Sequence, residues 1–487
     1  MRSRTNQSVF WLLVYIVLFV LLSFFSYKAQ GFNSNIDALI EQATGNNGNK
    51  GNNGKADESE FWQYTYIEDS ASADKAKGAD GVSFRKEKDE EGNVAAYYSA
   101  TSWQDSGGVI RFCRLDLSQS EYVYDFWPCV TVGQNKNAEF ALLAKIVSDD
   151  IFGVISSGRD GIIFHVVWST EDYLNPNRWE AYTIYASVAD GMKQEWNDAA
   201  FVDLDGDGDR DIVAGGDKDS GDPGKGIFGW FESTGDPLDG DAWVFHMISP
   251  KEETGWEMGV HPRDMDWDGD IDIIVPDRGV HAEAGVVWFE NLGAGNNTGY
   301  WPRHYIVGRK EVRMIGFGDA NGDRTQDIVI AGKKPAEVII ALRINKPTLH
   351  WDIVTIPVGQ YGGFPKDAAL ADVDNDGRKD IVVTTVDLQN KGEGIYYLTQ
   401  KSDLHGEWEF HSIHTNGAKY DNITMRDLDG DGDMDIITTV EIPNMGVIIY
   451  WNPTIENNIP NARFVAEPKG EEETDISDAL SSDNPED

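Results

Sequence analysis

Aspartates at a fixed spacing carry the strongest chemical signal in the chain. Five segments share it: DLDGDGDRDIV (203–213), DMDWDGDIDII (264–274), DANGDRTQDIV (319–329), DVDNDGRKDIV (372–382) and DLDGDGDMDII (427–437). The pattern D-x-D-x-D-G-x-x-D puts oxygen donors at positions 1, 3, 5 and 9, and position 7 adds its backbone carbonyl. Alternate residues of a tight loop point inward at one point. Calcium takes six to eight hard oxygen ligands, which such a loop provides. The expected ligand positions are Asp203, Asp205, Asp207, Asp209 and Asp211 in the first loop, and Asp264, Asp266, Asp268, Asp270 and Asp272 in the second. They are Asp319, Asn321, Asp323, Thr325 and Asp327 in the third, Asp372, Asp374, Asp376, Arg378 and Asp380 in the fourth, and Asp427, Asp429, Asp431, Asp433 and Asp435 in the fifth. Glycine at position 6 permits the sharp turn; it is Gly208, Gly269, Gly377 and Gly432. The third loop has Arg324 there and Asn321 at position 3, so it should bind most weakly or stay empty.

An EF-hand would need Glu at position 12 and a following helix. Position 12 is Ala214, Val275, Ile330, Val383 or Thr438, and a β-branched run follows each loop, so that reading fails. Carboxylates this close repel one another unless a cation sits among them. Up to five Ca²⁺ are therefore expected, in a structural role, stabilising the fold by mass action.

A second set of polar residues recurs ahead of the loops, six to eight positions before them except for His261 at three. It comprises Glu195, Asn197, Glu257, His261, Arg313, Lys366 and Asp421, beside Trp196, Trp256 and Tyr420. Such a ring can hold a sugar or a peptide; solvated loop ends with packing aromatics are the plainer reading. For an enzyme, His261 would be the base and Arg313 and Lys366 the neutralisers of a substrate carboxylate. His261, His281 and Asp277-Arg278 form the nearest approach to a catalytic cluster. His246, His304 and His411 recur in W-x-x-H strands, which argues for packing. No Ser-His-Asp set or phosphate cradle is evident, and the GDGD strings belong to the aspartate loops.

The elements that must position these loops are strands. First aspartates lie 61, 55, 53 and 55 residues apart, a repeat architecture. After each loop comes a short β-branched or aromatic stretch, as in GIFGWFES (226–233) and GVIIYWNP (446–453). Another follows, as in WVFHMI (243–248) and WEFHSI (408–413). With the strand leading into the next loop, each period holds four strands, the grammar of a β-propeller blade. KIVSDDIFGVISS (145–157) and EKDEEGNVAAYYS (87–99) begin two degenerate periods. Seven blades result, with six or eight as alternatives, and FWQYTYIED (61–69) is the candidate closing strand. Cys113 and Cys129 fall on consecutive strands of the first blade, where they either pair or remain two buried thiols.

The nine-residue loops and their DIV or DII strands resemble the FG-GAP/VCBS repeat family, found in integrin α-subunit propellers and many secreted bacterial proteins. IFGVISSG (151–158) and IGFGDANGD (315–323) fit its FG-containing variants. The resemblance spans most of the chain. It implies an all-β, calcium-binding, seven-bladed propeller with ligands at the loop positions named above. Members include adhesion receptors, lectin-like binders and propellers attached to polysaccharide lyases or sugar dehydratases, and the resemblance carries over no catalytic set.

The ends and the composition complete the reading. Residues 9–27 are a nearly unbroken apolar run behind Arg2 and Arg4, inside a 1–31 segment that is an anchor or a cleaved signal. Either places the remainder outside the cytoplasm, membrane-tethered or secreted. Residues 32–59 contain a Gly/Asn-rich stalk, 60–466 the propeller, and 467–487 an acidic tail. The formal charge of −42 disfavours nucleic acid as a partner. The expected function is recognition or adhesion through a glycan or a surface protein. The alternative is a polysaccharide lyase or sugar dehydratase/isomerase working in the propeller mouth.

Overall fold

The computed structural model describes residues 62–455, apart from 74–75, 90–91, 118–125, 190–191, 193, 218–225, 252, 254–256, 280–283, 294, 296–298, 345–349, 387–392, 415–417 and 443–444. The apolar run 9–27, the stalk 32–59 and the tail 467–487 lie outside them, as do Trp256 and His281. Among the described residues no helix is long and apolar enough to cross a membrane.

Strand β1 is Gln63–Glu68. Blade 1 follows as β2–β5 (Ala79–Lys88, Val94–Trp103, Val109–Asp116, Cys129–Gln134). Blade 2 is β6–β9 (Phe140–Ser148, Ile151–Gly158, Gly161–Val166, Glu180–Thr183). Blade 3 is β10–β13 (Glu195–Val202, Asp211–Asp217, Ile227–Ser233, Trp243–Met247). Blade 4 is β14–β17 (His261–Arg263, Asp272–Asp277, Gly285–Phe289, Arg303–Gly308). Blade 5 is β18–β21 (Glu311–Gly318, Asp327–Lys334, Glu337–Arg343, Trp351–Pro357). Blade 6 is β22–β25 (Phe364–Ala371, Asp380–Val386, Ile395–Gln400, Trp408–His414). Blade 7 is β26–β28 (Lys419–Arg426, Asp435–Ile442, Gly446–Trp451) plus β1.

Each blade is an antiparallel meander, and one bridge, Val386 to Lys419, joins blades 6 and 7. The first strands pack successively around the ring, and β26 packs back on β2. The fold is an all-β, seven-bladed propeller. It closes by pairing β1 with β28, Gln63 opposite Trp451 and Tyr66 opposite Ile448. The chain's start thus supplies the outer strand of its last blade, leaving no inner gap in the ring.

The blades are stacked sheets, so the core lies between them. Seven apolar clusters fill the seven interfaces; Phe164, Phe201 and Trp243 fill that between blades 2 and 3. This explains why the strand after each loop is apolar throughout: it is buried on both faces. His246 stacks on Trp230, His304 on Trp288 and His411 on Tyr397, one packing role repeated in three blades. Blade 1 carries a disulfide between Cys113 and Cys129.

Candidate metal loops and the inner ring

Each aspartate loop joins the first strand of a blade to its second, and the five loops share one hydrogen-bond scheme. The position-1 carboxylate accepts the position-6 N–H: Gly208 to Asp203, Gly269 to Asp264, Arg324 to Asp319, Gly377 to Asp372 and Gly432 to Asp427, at 2.7–3.2 Å. The position-9 carboxylate accepts the position-2 N–H: Leu204 to Asp211, Met265 to Asp272, Ala320 to Asp327, Val373 to Asp380 and Leu428 to Asp435, at 2.7–3.0 Å. In four loops its other oxygen accepts an amide just past or at the end of the third strand, from Ser233, Asn291, Arg343 or Asn452. The cage is therefore built by backbone amides before any ion is considered.

Carboxylate oxygens of Asp203, Asp205 and Asp211 lie within 4.8 Å of one another, as do those of Asp264, Asp266 and Asp272, and of Asp372, Asp374 and Asp380. Two oxygens on opposite sides of a Ca²⁺ are about 5 Å apart. The donor sets fit a hard divalent cation. Burial pushes Asp211 up to about 7, Asp272 to about 8, Asp327 to about 6 and Asp380 to about 7, with amide hydrogen bonds opposing the rise. A carboxylate so placed lacks a counter-charge, which a divalent ion would provide. In the third loop Asn321 Nδ2 donates to Asp323 at 3.2 Å, occupying one of the candidate donors.

The family model described as FG-GAP-like repeat matches residues 319–383 and 372–438. No curated protein sequence matches the chain. A solved structure titled as a luciferin-regenerating enzyme is similar at TM-score 0.38 and 14% identity, covering 74% of this chain and 98% of that one.

Beyond the aspartate loops, the ring of polar residues ahead of them is internal. Glu195, Asn197, Glu257, Arg313, Lys366 and Asp421 are all buried, and His261 is half-buried. They tie blade to blade. Glu195 accepts from Arg159 of blade 2 at 2.6 Å, and Asn197 donates to the Glu257 carbonyl ahead of blade 4 at 3.4 Å. Lys366 of blade 6 pairs with Asp421 of blade 7, and within blade 7 Lys419 pairs with Glu441. Asp80 of blade 1 completes that group. Burial and the Asp421 charge push its carboxyl well up, whereas Lys366 and Lys419 outweigh burial at Asp421 and hold it down.

The three residues proposed for lyase chemistry have different surroundings. His261 packs edge-on against Phe317, with ring centroids 5.2 Å apart. Burial and then Arg263 push it down to about 3, too low for a base at neutral pH. Arg313 is pushed down to about 10 by burial, and its charge interacts with Arg278, Asp421 and Glu311. Lys366 is held by Asp421.

Two sets of residues escaped the sequence reading. Asp198 accepts the Val260 N–H of the next blade at 2.8 Å, Asp367 accepts the Ile423 N–H at 2.8 Å, and Asn422 clasps both Val82 backbone groups. Each sits five residues before an aspartate loop, so a recurring Asp/Asn there was the available signal. Asn291 donates to the Leu204 carbonyl at 2.9 Å and Asn452 to the Val373 carbonyl at 2.9 Å, latching a blade to the preceding loop.

Proposed function

We propose that the chain is a calcium-loaded recognition propeller acting outside the cytoplasm on a glycan or a surface protein. FG-GAP-like repeats on a propeller suggest an adhesion or recognition-type module. The observation that carries the calcium reading is the amide-held aspartate triad repeated in the first, second and fourth loops. The burial and mutual pairing of the inner-ring charges support binding over catalysis, because a substrate would have to displace Lys366 from Asp421 or use a His261 whose basicity burial lowers. Recognition then falls to the blade faces and loop rims. The N-terminal apolar run 9–27 would tether or export the propeller.

Calcium titration of the chelated chain, read by calorimetry and native mass, tests the metal. Discrete occupancy with a rise in melting temperature is expected; no uptake at millimolar calcium refutes it. A panel of glycans and surface proteins, run with calcium and with chelator, tests recognition. Selective calcium-dependent retention is expected, and shortening of a retained polysaccharide would overturn the non-catalytic reading.

A further inference from the structure

Three departures from the repeat meet in one place. Position 4 of the loops is Gly206, Gly322, Asn375 or Gly430, all with positive φ. In the second loop it is Trp267, at φ 69°. Position 6 is Gly208, Gly269, Gly377 or Gly432, again left-handed. In the third loop it is Arg324, at φ 66°. A bulky residue in this region costs roughly 1–2 kcal/mol relative to glycine. The latch position held by Asn291 and Asn452 is in blade 5 Arg343, which donates to the Met265 carbonyl. Its guanidinium lies 5.3 Å from the Trp267 ring.

These residues line one cleft of about 470 Å³ between blades 4 and 5, with Arg263, Phe317 and Trp351 on its walls. Trp267 is 49% exposed, although tryptophan is among the costliest side chains to leave in water. Arg324 is exposed, and its guanidinium makes no hydrogen bond or ion pair among the described residues. Arg343 is 5% exposed, a buried cation behind the indole. Three arginines in one cleft are unexpected in a chain of charge −42.

We infer that this cleft binds an acidic saccharide, with a hexuronate carboxylate on Arg324 and the sugar ring's C–H face on Trp267. A guanidinium fork matches a carboxylate, and an exposed indole offers a flat apolar platform beside it. The volume falls in the range of small-ligand sites. Asp264 and Asp319 also line the cleft. Their charge opposes an anion, and a cation in the second loop would take up that of Asp264, so the inference rests on the calcium reading and predicts calcium-dependent binding.

The test is calorimetry of the full chain in calcium with an oligogalacturonate, a neutral malto-oligosaccharide and acetate as separate titrants. Calcium content is measured by mass in the same samples. The oligogalacturonate should bind, the neutral sugar far more weakly, and acetate hardly at all. Arg324→Gly and Trp267→Gly install the residue of the sister loops. Both should melt no lower than the parent, while each weakens oligogalacturonate binding about tenfold or more. Equal binding by parent and Arg324→Gly overturns the site, as does acetate binding as tightly as the oligogalacturonate. A calcium-loaded chain that ignores the oligogalacturonate overturns the cleft and leaves the metal standing. Arg324-dependent binding without calcium uptake does the reverse.

Discussion

Ring closure should depend on one buried ion pair, and its removal should cost more than any surface pair. Glu68 ends the closing strand β1 and is fully buried; Arg111 of blade 1 is 3% exposed. Arg111 Nε donates to Glu68 Oε2 at 2.9 Å, and Trp103 Nε1 donates to the other oxygen at 3.2 Å. Arg111 also donates to Thr131 Oγ1 at 2.9 Å. Burial raises Glu68 above the ordinary range even against Arg111, so desolvation outweighs the attraction. Glu68→Ala strands a buried cation and an indole N–H, for a loss of about 3–5 kcal/mol. Glu68→Gln keeps one acceptor, turns a donor NH2 toward the other partner and leaves the Arg111 charge unpaired, so it should lose a comparable amount. Glu68→Met with Arg111→Met removes both charges and should recover most of the stability. The assay is urea unfolding in calcium, followed by fluorescence, with limited proteolysis ahead of residue 69 as the readout of a detached β1. Additive losses in the double variant, or a Glu68→Ala loss under about 1 kcal/mol, would refute the closure argument.

Asp203→Asn should abolish one calcium equivalent and lower the melting temperature in calcium, whereas Asp319→Asn should change occupancy little; equal losses, read by native mass, would contradict the ranking of the loops. A site at a hundredfold excess over its Kd contributes about 2.7 kcal/mol, which chelation removes. His165 is buried against Ser156 at 2.9 Å and burial pushes it down to about 4. Its folded pKa is depressed, so the unfolded chain takes up the proton first and stability is lost as pH falls from about 6.5 to 4. His165→Gln should flatten that limb, measured as the difference between the two pH–stability curves; parallel curves would contradict it. Reduction should open the Cys113–Cys129 loop of 16 residues and cost about 3 kcal/mol, with intact mass confirming the bridge beforehand.

The strands and the closure were legible because they are periodic. A residue type repeated five times at one spacing reports a backbone need rather than a local accident, and FWQYTYIED was an extended apolar segment with no partner inside its own period. The five loops were legible down to their glycines, since a left-handed position accepts little else. The inner ring was misjudged in its setting. Glu195, Lys366 and Asp421 read as a ring able to hold a ligand or as solvated loop ends, but whether a charge meets water or a partner depends on the neighbouring blade, 36 residues away for Glu195 and Arg159 and 55 for Lys366 and Asp421. Arg111 and Glu68 were invisible for the same reason, lying 43 residues apart and on different blades.

Exceptions to the repeat are where an inter-blade site can arise. A repeat residue answers to the ring's own needs: cage the loop, latch the neighbour, fill the interface. The side chains of Trp267 and Arg324 are not needed for the caging bonds their N–H groups make to Asp264 and Asp319, since glycine does that work at position 6 of the sister loops and glycine or asparagine at position 4. Arg343 keeps the latch to Met265 but brings a charge that asparagine does without. Two residues that carry conformational cost and a third that carries desolvation cost, converging on one cleft, imply a function outside the ring's stability. If stability alone shaped this interface, Trp267→Gly and Arg324→Gly would be silent in every ligand assay.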